Sequence, residues 1–181
     1  RTDHPHYYRG KQGDESETEF VDRIVGNLEA LIVREGPETI AAFIAEPITG
    51  ASGVIVPPEG YYQKVQAVLN RYDIMFWADE VITGFGRTGS DFGCNSMGIE
   101  APDMMTFAKQ LSSAYMPISA SAIRRDLYDA MIDQSANAGA FGHGYTYSGH
   151  PVACAVALKT QEIYQRDKIF EKASVTGEYL Q

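Results

Sequence analysis

Three short apolar runs dominate the chain: TIAAFIAEP (39–47), IMFWAD (74–79) and MMTFAK (104–109). Each stops at or near a charged residue, and helical patterns stand before and between the first two. Short continuous apolar runs fit strands buried on both faces, and strands that alternate with helices build a largely parallel sheet. Residues 17–35 place Phe20, Ile24, Leu28 and Leu31 at helical spacing, flanked by Val21, Val25 and Ile32, and Gly36-Pro37 stops the pattern. Residues 59–72 follow Pro57-Pro58 and set Tyr61, Val65, Val68, Leu69 and Tyr72 on one face. A fourth strand is expected in MPISASAI (116–123) and a closing helix with an alanine-rich face at 150–165. Residues 1–13 and 48–60 read as loops. The expected fold class is α/β, three-layer α/β/α with a mostly parallel sheet. No internal repeat, linker or domain boundary interrupts residues 1–181.

In an open α/β sheet, ligands bind beyond the carboxyl ends of the strands. Glu46, Asp79, Lys109 and, at the fourth strand, Ser119 fall at such ends. They are far apart in sequence, yet the fold brings strand ends to one edge. The other signal in this region is Gly84-Phe85-Gly86-Arg87-Thr88-Gly89, which spells G-x-G-x-x-G. A dinucleotide loop follows its strand directly, opens a helix and has an acid about 20 residues on. Here five residues, Asp79 to Thr83, intervene, the following SDFGCNSMG reads as non-helical, and the next acid after it, Glu100, comes too early. These glycines are better explained as letting a loop turn sharply and pass close to something.

The acid and the lysine carry more. A carboxylate at the end of a buried strand is costly unless it is solvated, caps a helix or meets a cation. A lone lysine after an apolar strand either reaches solvent with its head or is a desolvated amine fit to form a Schiff base. Lysine together with an aspartate facing a pyridinium nitrogen is the pairing that pyridoxal phosphate needs. FGHGYTYSGHP (141–151) adds Gly144, Tyr145, Thr146, Ser148 and Gly149 just before a helix, hydroxyls and N–H groups suited to an anion. His143 and His150 lie seven apart with no third ligand nearby, so no metal site is expected. A net charge of −9 argues against a nucleic-acid partner, and no apolar stretch approaches the roughly 20 residues of a membrane span. Two cysteines, Cys94 and Cys154, form no C-x-x-C pair and favour a reducing compartment, so a cytoplasmic location is expected.

Four motifs occur in order: E-P-I-x-G-x-x-G-x-I-x-P-P (46–58), A-D-E-V-I-T-G-F-G-R-T-G (78–89), P-D-M-M-T-F-A-K (102–109) and H-G-Y-T-Y-S-G-H-P (143–151). Together they resemble the class III aminotransferases, fold-type I enzymes dependent on pyridoxal 5'-phosphate. KQLSSAYMPISA and HGYTYSGHPVACA are most similar to the branch that uses ω-amino acids or amines with pyruvate as acceptor. The resemblance implies that Lys109 holds the cofactor as a Schiff base and that Asp79 faces the pyridine nitrogen. It further implies that Val81 packs on the ring and that Thr146, beside Tyr145, reaches the phosphate of a partner subunit's cofactor in a homodimer. Glu46 falls near the substrate side. Ile82 stands where some members carry a glutamine.

The resemblance also implies that residues 1–181 are the later part of the cofactor-binding large domain, because 1–38 hold neither the phosphate loop nor a ring-stacking aromatic. That loop and the C-terminal small domain are expected outside these residues. An aminomutase or decarboxylase of the same fold, and a shortened non-catalytic scaffold, are the alternatives.

Overall fold

The computed structural model describes residues 1–180. In chain order the elements are α1 (Tyr7–Gly10), α2 (Glu17–Glu35), β1 (Ala42–Ala45), α3 (Tyr61–Arg71), β2 (Met75–Asp79), α4 (Gly93–Met97), β3 (Met104–Phe107), β4 (Ala120–Ile123), α5 (Arg125–Ala138), α6 (Pro151–Arg166) and α7 (Ile169–Leu180). The sheet runs β1-β2-β3-β4, parallel across the first three strands and antiparallel at the last. The mixed α/β architecture expected from the alternation is present.

Local chemistry explains the best-formed pieces. Ser16 and Glu19 form a reciprocal cap on α2: Glu19 N donates to Ser16 Oγ at 3.3 Å, and Ser16 N donates to Glu19 Oε2 at 2.9 Å. Gly36, at φ +87°, ends the helix in a conformation that an L side chain disfavours. The apolar stripe of α2 (Phe20, Val21, Ile24, Val25, Leu28, Ile32) and that of α3 (Tyr61, Tyr62, Val65, Val68, Leu69) are buried together over Phe76 and Ala78 of β2. Across the rim of this layer Asp22 pairs with Lys64 and Glu29 with Arg71.

Alternation then assigns the opposite sheet face. Ile44, Trp77, Met104 and Ile123 are register partners across the four strands. At the two sheet edges Ile44 is 58% and Ile123 37% exposed, so this face is open at both sides among the described residues. Asp79 lies two residues beyond Trp77 on the same face, opposite Thr106.

Several local expectations change. The segment 1–13 contains a one-turn helix, α1, closed by Gly10 N and Arg9 N on the His6 carbonyl. SDFGCNSMG is partly helical: α4 forms over five residues, with Phe92 N donating to Asn95 Oδ1. Such a helix is too short to show periodicity. It also starts after Phe92, so the glycines still open no helix. Lys109 stands two residues past β3, not at its last position. Ser119 precedes β4 rather than following it, and reaches the same edge because β4 runs antiparallel. Helices α5 and α7 lacked a clear apolar signal, and neither has a buried residue.

Candidate active site

The carboxyl ends of β2 and β3 meet where Asp79 pairs in register with Thr106, three residues before Lys109. Asp79 ends β2 because the chain turns there: its Oδ1 accepts from Val81 N at 3.1 Å. Its second oxygen accepts no hydrogen bond among the described residues. Beneath it Trp77 Nε1 donates to Thr106 Oγ1 at 2.7 Å, which ties the two strands together on this face.

Glu80, which sequence reasoning passed over, points to the other side and is fully buried at 0% exposure. Its carboxylate accepts from Thr83 Oγ1 at 2.6 Å, Gly93 N at 2.9 Å and Cys94 N at 2.7 Å. Burial first, and then the adjacent Glu80 carboxylate, push the Cys94 thiol above its ordinary value. The available signal was the Asp-Glu doublet itself, with Thr83 three residues on and no exposed helix to carry a second acid.

The glycines shape the loop behind Asp79. Gly86 (φ +87°) and Gly89 (φ +83°) pass against α7, where an added Cβ would lie 2.1 Å from Phe170 Cδ1 and 2.9 Å from Ser174 Cβ. What the loop passes close to is therefore a helix of its own chain. Phe85, Phe92 and Phe107 close a triangle of rings with centroids 5.5–5.6 Å apart between this loop and β3.

Lys109 opens a tight turn with φ +43°, followed by Ser113 at +51° and Ala114 at +63°. Left-handed backbone at non-glycine residues persists only where the surroundings impose it. Here α6 does so: Gln161 Nε2 donates to the Leu111 carbonyl at 2.9 Å, Tyr164 Oη to that of Gln110 at 3.1 Å, and Thr160 Oγ1 to that of Ser112 at 3.4 Å. The Lys109 ammonium has no hydrogen bond or ion pair among the described residues, and the residue is exposed. The dry setting that a desolvated amine requires is thus not built by these residues alone.

The remaining candidates stand apart. Glu46 follows β1 and folds back on its own loop, Oε2 accepting from Gly50 N at 2.9 Å, while its carbonyl accepts from Tyr62 Oη. Val81 is half-buried beside Asp79. Tyr145 and Thr146 belong to a stretch, 136–152, in which every residue is exposed, and Tyr145 reaches 78%. They form no hydrogen bond with Asp79 or Lys109. Tyr145 and Tyr147 instead line a cavity of about 800 Å³ with His150 and residues 116–120.

Asp79 at the end of β2 and Lys109 just past the neighbouring parallel strand β3 thus share the sheet edge at which open α/β sheets bind ligands. The sequence model described as Aminotransferase class-III matches residues 2–181. The chain belongs to the class III aminotransferases. It is 56% identical over 173 residues to gamma aminobutyrate transaminase 3, chloroplastic, of Solanum lycopersicum, covering 96% of this chain and 33% of that protein. A probable mitochondrial gamma-aminobutyrate transaminase 3 of Oryza sativa subsp. indica is 56% identical over 170 residues, 94% of this chain and 33% of the relative. Among solved structures, a transaminase with L-alanine superposes with a TM-score of 0.96 at 50% identity, covering 98% of this chain and 42% of that one. The ω-transaminase of Pseudomonas jessenii in complex with PMP gives 0.90 at 53% identity, covering 92% and 37%. The chain thus spans about a third of the length of the curated relatives it matches.

No described helix is long and apolar enough to cross a membrane.

Proposed function

We propose that the protein containing this chain moves an amino group from an ω-amino acid or amine to a keto acid, with pyruvate as acceptor, using pyridoxal 5'-phosphate. The observation that carries the reading is the pair of unsatisfied, oppositely charged groups at neighbouring strand ends: one free Asp79 oxygen and the free Lys109 amine. They fit the cofactor's two needs, an anion at the pyridine nitrogen and an amine at the aldehyde. The names of the tomato and rice relatives add support for an ω-amino acid donor, since γ-aminobutyrate is one.

Pyridoxal phosphate, when bound, supplies an electron sink for the charge that develops at the donor carbon. The chain's own residues do the rest. Asp79 would face the ring nitrogen and favour its protonated form. Lys109 Nζ would hold the cofactor's aldehyde carbon and, once released, would serve as the general base that moves the proton of the donor carbon. Val81, half-buried beside Asp79, would pack on the ring and help exclude water there. Glu46 faces the substrate side. Tyr145 and Thr146 serve the phosphate bound to a second copy, and the wholly exposed stretch 136–152 supports a homodimer that covers it. Residues 1–181 are the later part of the large domain in this reading. The free thiols Cys94 and Cys154 support a reducing compartment such as the cytoplasm.

The test is turnover with an ω-amino acid and pyruvate, following donor loss against alanine formed. Lys109→Ala abolishes it. Asp79→Asn lowers kcat by roughly two orders of magnitude or more, as loss of a preorganised charge does. Near-normal rates in Lys109→Ala sink the assignment, and donor loss without stoichiometric alanine redirects it to a mutase or decarboxylase.

A further inference from the structure

We infer that Glu80 is the positioning residue of the site: it fixes the orientation of the Asp79 carboxylate and the place of Val81. The inference rests on the proposed role of Asp79. Five hydrogen bonds pass through this one residue. Its N–H donates to the Thr106 carbonyl at 3.0 Å, which joins it to β3. Its own carbonyl accepts from Gly84 N at 3.0 Å, which closes the first turn of the loop. Its carboxylate accepts from Thr83, Gly93 and Cys94, which joins that turn to the start of α4, some 13 residues on.

The relay to the site is short. The three donors fix Glu80, whose peptide carries Val81 N, and Val81 N fixes Asp79 Oδ1 at 3.1 Å. There is little slack to absorb an error: a Cβ at Gly93 would lie 2.6 Å from the Thr83 Cβ and 3.0 Å from the Pro47 Cβ. Only a carboxylate satisfies all three donors. A glutamine of the same length offers one acceptor oxygen and turns an NH₂ toward a backbone N–H, leaving a buried donor unpaired. The carboxylate is also the stronger acceptor, because hydrogen bonds to an ionised group exceed neutral ones. The arrangement costs burial of a charge, and that charge does not touch the cofactor's place. Its carboxylate forms no hydrogen bond with Asp79 or Lys109, and the shortest route from it to the site is through Val81 N and Asp79.

The experiment compares four forms of the protein containing this chain, loaded with pyridoxal phosphate: parent, Glu80→Gln, Thr83→Val and Ile32→Ala. Thr83→Val removes only the hydroxyl donor and guards against a Glu80 variant that does not fold. Ile32, buried in α2 far from the loop, is the control for general destabilisation. Urea unfolding without cofactor measures stability, and absorbance titration measures cofactor Kd and the pH midpoint of the visible band. Glu80→Gln raises Kd about tenfold and shifts the pH midpoint, the factor expected from losing one hydrogen bond's worth of orientation. Thr83→Val moves both in the same direction by less. Ile32→Ala loses stability, with Kd and midpoint unchanged. Equal Kd and midpoint in Glu80→Gln and Ile32→Ala at matched stability overturn the inference and leave Glu80 a staple of the fold. A parent protein that forms no adduct at Lys109 fails at the earlier step and removes the proposed role of Asp79 together with the inference.

Discussion

Replacing Gly86 with alanine tests why the glycine-rich loop exists. Gly86 has φ +87°, and a Cβ there meets the Phe170 ring at 2.1, 2.5 and 2.9 Å. The backbone term is about 1–2 kcal/mol, the cost of left-handed geometry for an L residue. The steric term is about 1–3 kcal/mol, the range for forcing an extra methyl into a packed contact. Gly86→Ala therefore destabilises the chain by about 2–5 kcal/mol in urea unfolding. The two terms separate in a double-mutant cycle. Phe170→Ala removes the ring, so the combined variant keeps the backbone cost and loses the steric one, a coupling of about 1–3 kcal/mol in favour of the pair. Two results refute the reasoning: a single-variant loss below about 1 kcal/mol, or additivity within about 0.5 kcal/mol. Either one would mean that the loop does not need its close approach to α7.

Ser16→Ala removes one arm of the α2 capping box and is expected to lower stability by about 1 kcal/mol, read by chemical denaturation, while Glu17→Ala in the same turn does much less. The Glu15 carboxyl is held below its ordinary value chiefly by its hydrogen bond from Arg23, at 2.8 Å. A depressed carboxyl stabilises the fold above its unfolded pKa and loses that contribution as pH falls through the native one. Stability should therefore fall on acidification through this window, and Arg23→Ala should flatten that limb when unfolding is followed against pH.

The apolar runs marked β1, β2 and β3 because parallel strands carry few polar residues, although β1 proves to be an edge strand with Ile44 58% exposed. The same logic placed Asp79 and Glu46 near one edge, since a charged residue can only follow such a run. The direction of β4 was not legible: MPISASAI is short, and all four residues of the strand it forms are exposed. Helix α5 escaped notice for a related reason, because its apolar side chains Tyr128 and Ile132 stay 46% and 50% exposed and define no covered face. Glu80 had only a weak signal in the Asp-Glu doublet, because an acid reads as surface unless its partners are known, and two of its three are backbone N–H groups fixed only by the folded loop. The strained turn at Lys109 has no signature in its own residues. Its supports, Thr160, Gln161 and Tyr164, lie about 50 positions away on α6.

The most direct measurement of the central claim is covalent trapping. The protein containing this chain is mixed with pyridoxal phosphate, its visible absorption recorded, and the mixture reduced with borohydride and mapped by peptide mass. The account predicts a visible band and a single reduced adduct on Lys109, lost in Lys109→Ala. An adduct spread over the other surface lysines, with Lys109 unmodified, would contradict it.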